Sequence, residues 1–386
     1  MGYRGCLWSQ KWRLSRLLRA THWTSLFRFA SWAMLTRLQL RDFRCFAQAM
    51  LEVHPRLTVF TGQNAQGKTS LLEAVCVLMR LQSPRTSSRG EWLRHGAGST
   101  MIEGDWNGHV LRHTQTASAR RLAVDGAICA KQGEYLASSA LVVWMDRDDM
   151  NLVRGGAEHR RRWLDFAAAQ LFPDYLPALR HYERALRARN FLLKRDVNVS
   201  WRQVEAYDAL LDQYARIIRQ GRAELLRRMQ SWIGIMQGNL SGGLETAEAI
   251  DTPGYTGDSL VEVLRSQRDT EARTRQTAAG VHRDDVTLQV AGKDASAFAS
   301  EGQQRTLSLA MKLAQARVLE EGRGAAPLLL LDDIFGELDV NRRHALLQHL
   351  PPHSQKLITT TTLGWKKEEV ETGEVWHVEQ GRVVKL

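Results

Sequence analysis

Gly62-Gln63-Asn64-Ala65-Gln66-Gly67-Lys68-Thr69 matches the pattern G-x-x-x-x-G-K-[ST] without a mismatch. Glycines in such a loop let backbone N–H groups wrap a chain of phosphates, and a following helix N-terminus favours their negative charge. Lys68 can reach the β- and γ-phosphates of a nucleoside triphosphate, and the Thr69 hydroxyl can ligate Mg2+. Far along the chain, Leu328-Leu329-Leu330-Leu331-Asp332-Asp333 would end a buried strand on two carboxylates. Asp332 could then hold Mg2+, and Asp333 could orient or deprotonate an attacking water. Lys68 and Asp333 are thus the catalytic candidates. Many strands end in an acidic turn, so the second pattern draws its weight from the first.

The loop needs a strand before it and a helix after it. Leu57-Thr58-Val59-Phe60 is a short run rich in β-formers, and Leu71, Leu72, Val75 and Leu78 recur at helical spacing over 69–80. Two short strands joined by a turn are expected from Leu35 to Val53. Between about 157 and 237 the period becomes helical. Val204, Tyr207, Leu211, Tyr214 and Ile218 form a seam, interrupted at Gly221 and resumed by Leu225, Met229, Trp232 and Met236. Leu179, Tyr182, Leu186 and Leu193 would supply the facing helix. A short antiparallel helical lobe and ordinary core helices of one domain both fit this pattern. Residues 238–280 read as loops plus one helix near Ser259 to Arg268, and Val286, Leu288 and Val290 mark a strand.

Ser300-Glu301-Gly302-Gln303-Gln304-Arg305 opens a further helix and resembles the signature motif of ABC ATPases. Gly336-Glu337-Leu338-Asp339 resembles their D-loop, and Thr361, within Thr359 to Thr362, falls at their switch position, although four threonines equally fit a plain strand. The order of these motifs is more specific than any one of them. The resemblance implies ATP and Mg2+ as cofactors. It also implies a dimer in which Ser300, Gly302 and Gln303 meet the γ-phosphate bound by the opposite subunit. A transporter ATPase is disfavoured, because Ala299 stands where its signature would have Leu and Glu301-Gly302-Gln303-Gln304 follows Ser300. A scaffold in which ATP is structural is the other alternative. Long-armed SMC-type proteins are excluded, because 240 residues separate Gly62 from Gly302, too few for a long coiled coil.

Leu38-x-Leu40-x-Asp42-Phe43-Arg44 with 62–74, Leu152 to Gly156 with Arg160 to Asp165, Gly280 to Asp285, and Leu331 to Asp339 together resemble the RecF family over nearly all of Met34 to Leu386. Three positions depart from it. Ala65 stands where that family has Gly, Arg147 where it has Pro, and Val281 where Pro precedes His-Arg-Asp-Asp. The resemblance implies an ATP-dependent homodimer that binds double-stranded and gapped DNA in recombinational repair, replication-fork maintenance and the SOS response. It also implies action with RecR and RecO to load RecA. The implied enzyme is a weak, DNA-stimulated ATPase. Asp at 333 is shorter than Glu, and turnover on the order of 1 s⁻¹ or slower is expected. Arg180, Arg184 and Arg187 on one helical face, and Arg160, Arg161 and Arg162 at a helix start, are candidate phosphate contacts; a solvated, salt-bridged face is the other reading.

The resulting fold class is α/β: an ABC-type P-loop ATPase head, with a RecA-like core and an antiparallel β subdomain, carrying an inserted, mostly α-helical lobe. Expected boundaries are 34–140 and 280–386 for the head and 141–279 for the lobe. Of the net charge of +11, six positive charges lie in residues 1–33, which hold no acid and four Trp; the remaining +5 supports a nucleic-acid partner only weakly. That segment reads as a non-native or disordered extension ahead of a functional start at Met34, with an organelle transit peptide as the alternative. Cys6, Cys45, Cys76 and Cys129 show no metal or disulfide spacing, and no run approaches 18 apolar residues. A cytoplasmic protein without a membrane partner is expected.

Overall fold

Leu35–Phe43 (β1) and Phe46–Glu52 (β2) form the expected hairpin, after which Leu57–Thr61 (β3) leaves for a second sheet. In this computed structural model residues 34–86, 88–195, 198–363 and 373–386 are described, and the expected extension over 1–33 lies outside them. Ser99–Trp106 (β4), His109–Thr116 (β5), Arg120–Val124 (β6) and Ala127–Ile128 (β7) complete an antiparallel sheet of order β2-β1-β4-β5-β6-β7. The second sheet holds β3, Val142–Met145 (β8), Leu328–Asp332 (β12), Lys356–Thr360 (β13), Glu374–Glu379 (β14) and Arg382–Lys385 (β15), in the order β15-β14-β3-β13-β12-β8. All its pairings are parallel except that of β14 with β15.

A parallel sheet covered on both faces reads as continuous apolar sequence. The alternation along β12 shows why: Leu328 and Leu330 enter one core, Leu329 and Leu331 the other. Lys68–Arg80 (α1) lies between the two sheets and is buried at twelve of its thirteen positions. Gly104 of β4 permits the close approach, since a Cβ there would meet the Leu78 Cδ2 at 2.7 Å. Gln132–Ala137 (α2) caps this side, with the Tyr135 hydroxyl donating to the Leu78 carbonyl.

On the other face lie Asn151–Arg154 (α3), Ala157–Leu171 (α4), Tyr175–Arg195 (α5), Trp201–Glu205 (α6) and the 34-residue Asp208–Ser241 (α7). The facing pair anticipated from the periodicity is α5 against α7. Gly221 does not interrupt α7. A Cβ there would meet the Tyr175 ring at 2.6 Å, so the glycine serves contact with α5 rather than a break. Leu260–Ser266 (α8), which Ser259 caps, and Arg268–Thr274 (α9) follow. Arg189, 1% exposed, ties α5 to Asp208 and to both Glu271 carboxylate oxygens, which pairs an otherwise costly buried charge.

Two expected boundaries shift. β8 lies beyond 141 yet belongs to the head sheet as the neighbour of β12. Ala247–Thr252 (β9), expected as loop, pairs with Asp285–Val290 (β10), and Lys293–Asp294 (β11) completes a sheet that straddles 279/280. Ala295–Phe298 (α10), Glu301–Arg323 (α11) and Val340–His349 (α12) follow, with α11 packed along α7.

Burial holds the imidazoles of His113 and His282 down at about 3 and about 4. His282 accepts from or donates to the Tyr182 hydroxyl at 2.7 Å, whereas neither ring nitrogen of buried His113 has a hydrogen-bond partner. An unfolded chain protonates both near pH 6.5, so it binds more protons than the folded one between there and pH 4. Stability from these groups is therefore full above pH 6.5 and is lost as pH falls. Urea titrations at pH 7.5 and 5.0 should differ by roughly 2 kcal/mol or more, and His113→Gln should flatten the dependence. An unchanged slope in that variant would remove His113 as its source.

Candidate functional site

The C-terminal ends of β3, β13 and β12 lie side by side, and there the loop 62–69, Thr359 and the Asp332-Asp333 pair converge. Gly62 turns at φ 146°, where a Cβ would meet the Val378 carbonyl oxygen of β14 at 2.3 Å. Gly67, at φ 110°, precedes α1 and leaves its first turn without a side-chain cap. Those first-turn N–H groups are the anion-binding end of the helix. The loop, Asp332 and Asp333 line a cleft of ≈ 590 Å³ with Arg44, Cys45 and Arg85.

Lys68 bends back across the loop, its Nζ donating to the Gly62 and Gln63 carbonyls at 2.7 Å each. Burial lowers its pKa, against the pull of Asp333 and Asp332. The Thr69 hydroxyl donates to Asp332 Oδ1 at 2.9 Å, and the Thr359 hydroxyl donates to the same oxygen at 2.6 Å. Burial raises the Asp332 pKa, while these two donors oppose the rise. Asp333 sits at φ 51°, its N–H donating to the Thr359 hydroxyl at 2.9 Å. Its Oδ2 accepts from Arg147 at 2.5 Å, whereas its Oδ1 is buried with no hydrogen-bond partner. An uncapped helix start, a hydroxyl beside a carboxylate and an unpartnered carboxylate oxygen suit a triphosphate, Mg2+ and a water.

Ala65 takes φ 64°, a left-handed conformation that costs a residue with a Cβ about 1 kcal/mol. Ala65→Gly should therefore raise stability by ~0.5–1 kcal/mol in urea titration, less than the full relief because Gly also loosens the unfolded chain. A less stable variant would show that this loop does not hold the left-handed turn in solution.

Ser300 caps α11, its Oγ accepting from the Gln303 N–H at 3.3 Å while the Gln303 Oε1 accepts from the Ser300 N–H at 2.8 Å. The other end of Gln303 donates to Glu245 at 2.9 Å, so its side chain is spent shaping this turn. The Arg342 guanidinium lies 2.7 Å from where a Gly302 Cβ would be, and it donates to Thr306 and Asp339. Asp339 caps α12. None of Ser300, Gly302 and Gln303 lines the cleft.

Thr361 is exposed just past β13; the threonine that touches Asp332 is Thr359, two positions earlier. Thr359 was legible only as part of a run of threonines, because its pairing with Asp332 follows from strand register. Arg44 and Arg85 also escaped sequence reasoning as cleft residues; the fully buried Glu73 of α1 holds them, at 2.6 and 3.3 Å.

The basic candidates divide. Arg160 is engaged inside the fold: it donates to both Asp285 oxygens and to the Leu152 and Gly155 carbonyls, which uses four of the five N–H groups of its guanidinium. Arg161 is half-buried against the Asp284 carbonyl. Arg222 of α7 joins Asp165 to Asp284, so the segments 160–165 and 280–285 are one internal ion network. Arg180 turns toward Gln132, whereas Arg162, Arg184 and Arg187 are exposed. Arg162 and Arg187 pair with Glu158 and Glu183 on their own helices.

Comparison with known proteins agrees with this geometry. Residues 37–125 match the family model described as an AAA domain. The chain is 37% identical over 349 residues to the DNA replication and repair protein RecF of Synechococcus sp. (strain JA-2-3B'a(2-13)), covering 86% of this chain and 92% of that one. It is 31% identical over 369 residues to the RecF of Bacillus subtilis (strain 168), covering 91% and 100%. A solved structure of the recombination mediator protein RecF-ATP in the RecFOR pathway superposes with a TM-score of 0.81 at 27% identity, over 92% of this chain and 98% of that one. The Smc head domain of Pyrococcus furiosus shares the fold, with a TM-score of 0.53 at 16% identity over 92% and 96%. The fold is thus that of an ABC-type ATPase head.

Proposed function

We propose that this chain, which belongs to the RecF family of DNA replication and repair proteins, binds ATP in the β3–α1 cleft and uses it to join two copies around DNA. The observation that carries this reading is the division of the machinery. One cleft holds the phosphate loop, Asp332 and Asp333, while Ser300 caps an exposed helix start outside it. A second copy could complete the site by presenting that helix start to the γ-phosphate. ATP then favours the dimer because only there does it meet both surfaces.

Mg2+, held by Thr69 and Asp332, would offset charge on the β- and γ-phosphates. Lys68 exchanges its two carbonyl partners for phosphate oxygens, and the N–H groups of 62–69 surround the chain of phosphates. Asp333 orients a water with its unpartnered oxygen. Turnover is slow, on the order of 1 s⁻¹ or below, stimulated by DNA, and resets the dimer. Gapped or junction DNA, action with RecO and RecR, loading of RecA and a cytoplasmic location belong to the same proposal, supported by the family. Of the basic candidates, the exposed Arg162, Arg184 and Arg187 would be the ones to meet phosphates. Among the described residues no helix is long and apolar enough to cross a membrane.

Sedimentation velocity on a gapped duplex tests the proposal. Mg-ATP should convert a monomer to a DNA-bound dimer. Equal binding of DNA by a monomer without nucleotide would replace the clamp by a scaffold in which ATP is structural.

A further inference from the structure

The Arg147 guanidinium ends on Asp333, the carboxylate assigned to water. We propose that Arg147 is a positioning residue for hydrolysis: its guanidinium takes Oδ2 of Asp333 and so aims Oδ1 at the attacking water. The inference rests on the ATPase reading above.

The backbone of Asp333 is held from the β13 side, its N–H donating to both the hydroxyl and the carbonyl of Thr359. Its side chain retains rotation, and a charged donor 2.5 Å from one oxygen removes it. The other oxygen has no hydrogen-bond partner, so its acceptor capacity is unspent and open to a bound water.

Arg147 is also firmly mounted. Asp146 and Asp149 close the turn that carries it, the Asp149 Oδ2 accepting from the Asp146 N–H at 2.9 Å, and the Trp144 indole donates to Asp146 at 2.6 Å. Lys312 of α11 binds Asp149 at 2.6 Å and the Trp144 carbonyl at 2.8 Å, both within the protein interior. One turn further, Arg154 donates to Gln304 of α11 at 2.6 Å. The helix that Ser300 caps therefore carries the turn that aims Asp333.

Single-turnover hydrolysis of radiolabelled ATP with Mg2+ and gapped DNA tests this in wild type, Arg147→Ala, Arg147→Lys, Asp333→Asn and the Arg147→Ala/Asp333→Asn double variant. Nucleotide affinity is read alongside with a fluorescent ATP analogue. Arg147→Ala should hydrolyse ~10- to 100-fold more slowly, with affinity within about threefold, because aiming a base acts on the chemical step rather than on binding. Arg147→Lys should recover part of the rate. The double variant should be no slower than Asp333→Asn if Arg147 serves hydrolysis through that carboxylate. A rate in Arg147→Ala equal to or above wild type overturns the inference, as does a double variant slower than Asp333→Asn. Wild type that neither binds nor hydrolyses Mg-ATP would instead sink the ATPase reading, and this inference with it.

Discussion

Lys68→Met is expected to weaken ATP binding by at least ~100-fold. The ammonium makes two 2.7 Å hydrogen bonds to the loop carbonyls, and a phosphate chain would take both donors. Two charge-assisted hydrogen bonds contribute about 1.5–3 kcal/mol each, which converts to a loss of two orders of magnitude or more. Met retains the length and apolar stem of Lys without the charge. Gln63 is exposed, so water can replace the ammonium at its carbonyl, and the buried Gly62 carbonyl loses one partner at a cost of about 1–3 kcal/mol, which the fold should tolerate. Titration with a fluorescent ATP analogue measures the effect, and a melting temperature close to wild type confirms the fold. Binding within threefold of wild type would mean that the phosphates do not lie where Lys68 points.

Ser300→Arg should show the opposite division: nucleotide binding retained, ATP-driven dimerisation lost. Ser300 lies outside the cleft, so one subunit's affinity should stay within about threefold. The long cation would fill the surface that meets the partner's γ-phosphate. Loss of the Ser300 cap costs about 1 kcal/mol, which a 23-residue helix with most of its length buried tolerates. Ser300→Asp separates cap from contact, since Asp caps as well as Ser but repels a phosphate. Both variants should move the Mg-ATP-dependent dimer to at least ~100-fold higher concentration in sedimentation velocity. If both dimerise as wild type does, the helix start at 300 is not the trans surface, and another face must join the copies.

The site reads from the sequence to different depths. The phosphate loop was legible because one turn of chain supplies it, and its spacing fixes the backbone groups that meet the ligand. β12 was legible because a strand buried on both faces must be apolar at each position. Thr359 was obscured by three neighbouring threonines. Only the pairing of β12 with β13 sets it opposite Asp332, and Thr361 falls past the strand end. Arg160 showed the same gap from the other side: in sequence it heads a basic cluster, in the fold it neutralises Asp285.

Sequence alone pointed to the phosphate loop, to each of the other motifs and to the facing helices α5 and α7, because each of these depends on residues within a few turns of one another. The tertiary structure decided the rest. It placed β8 in the head sheet, paired the loop-like segment 247–252 with β10, and carried α7 unbroken through Gly221 against the Tyr175 ring. It also brought Arg147 to Asp333, 186 positions away. Spacing along one chain encodes which side chains share a turn or a face. Which carboxylate receives which guanidinium depends on strand order and helix packing, and these are set by burial summed over the whole core.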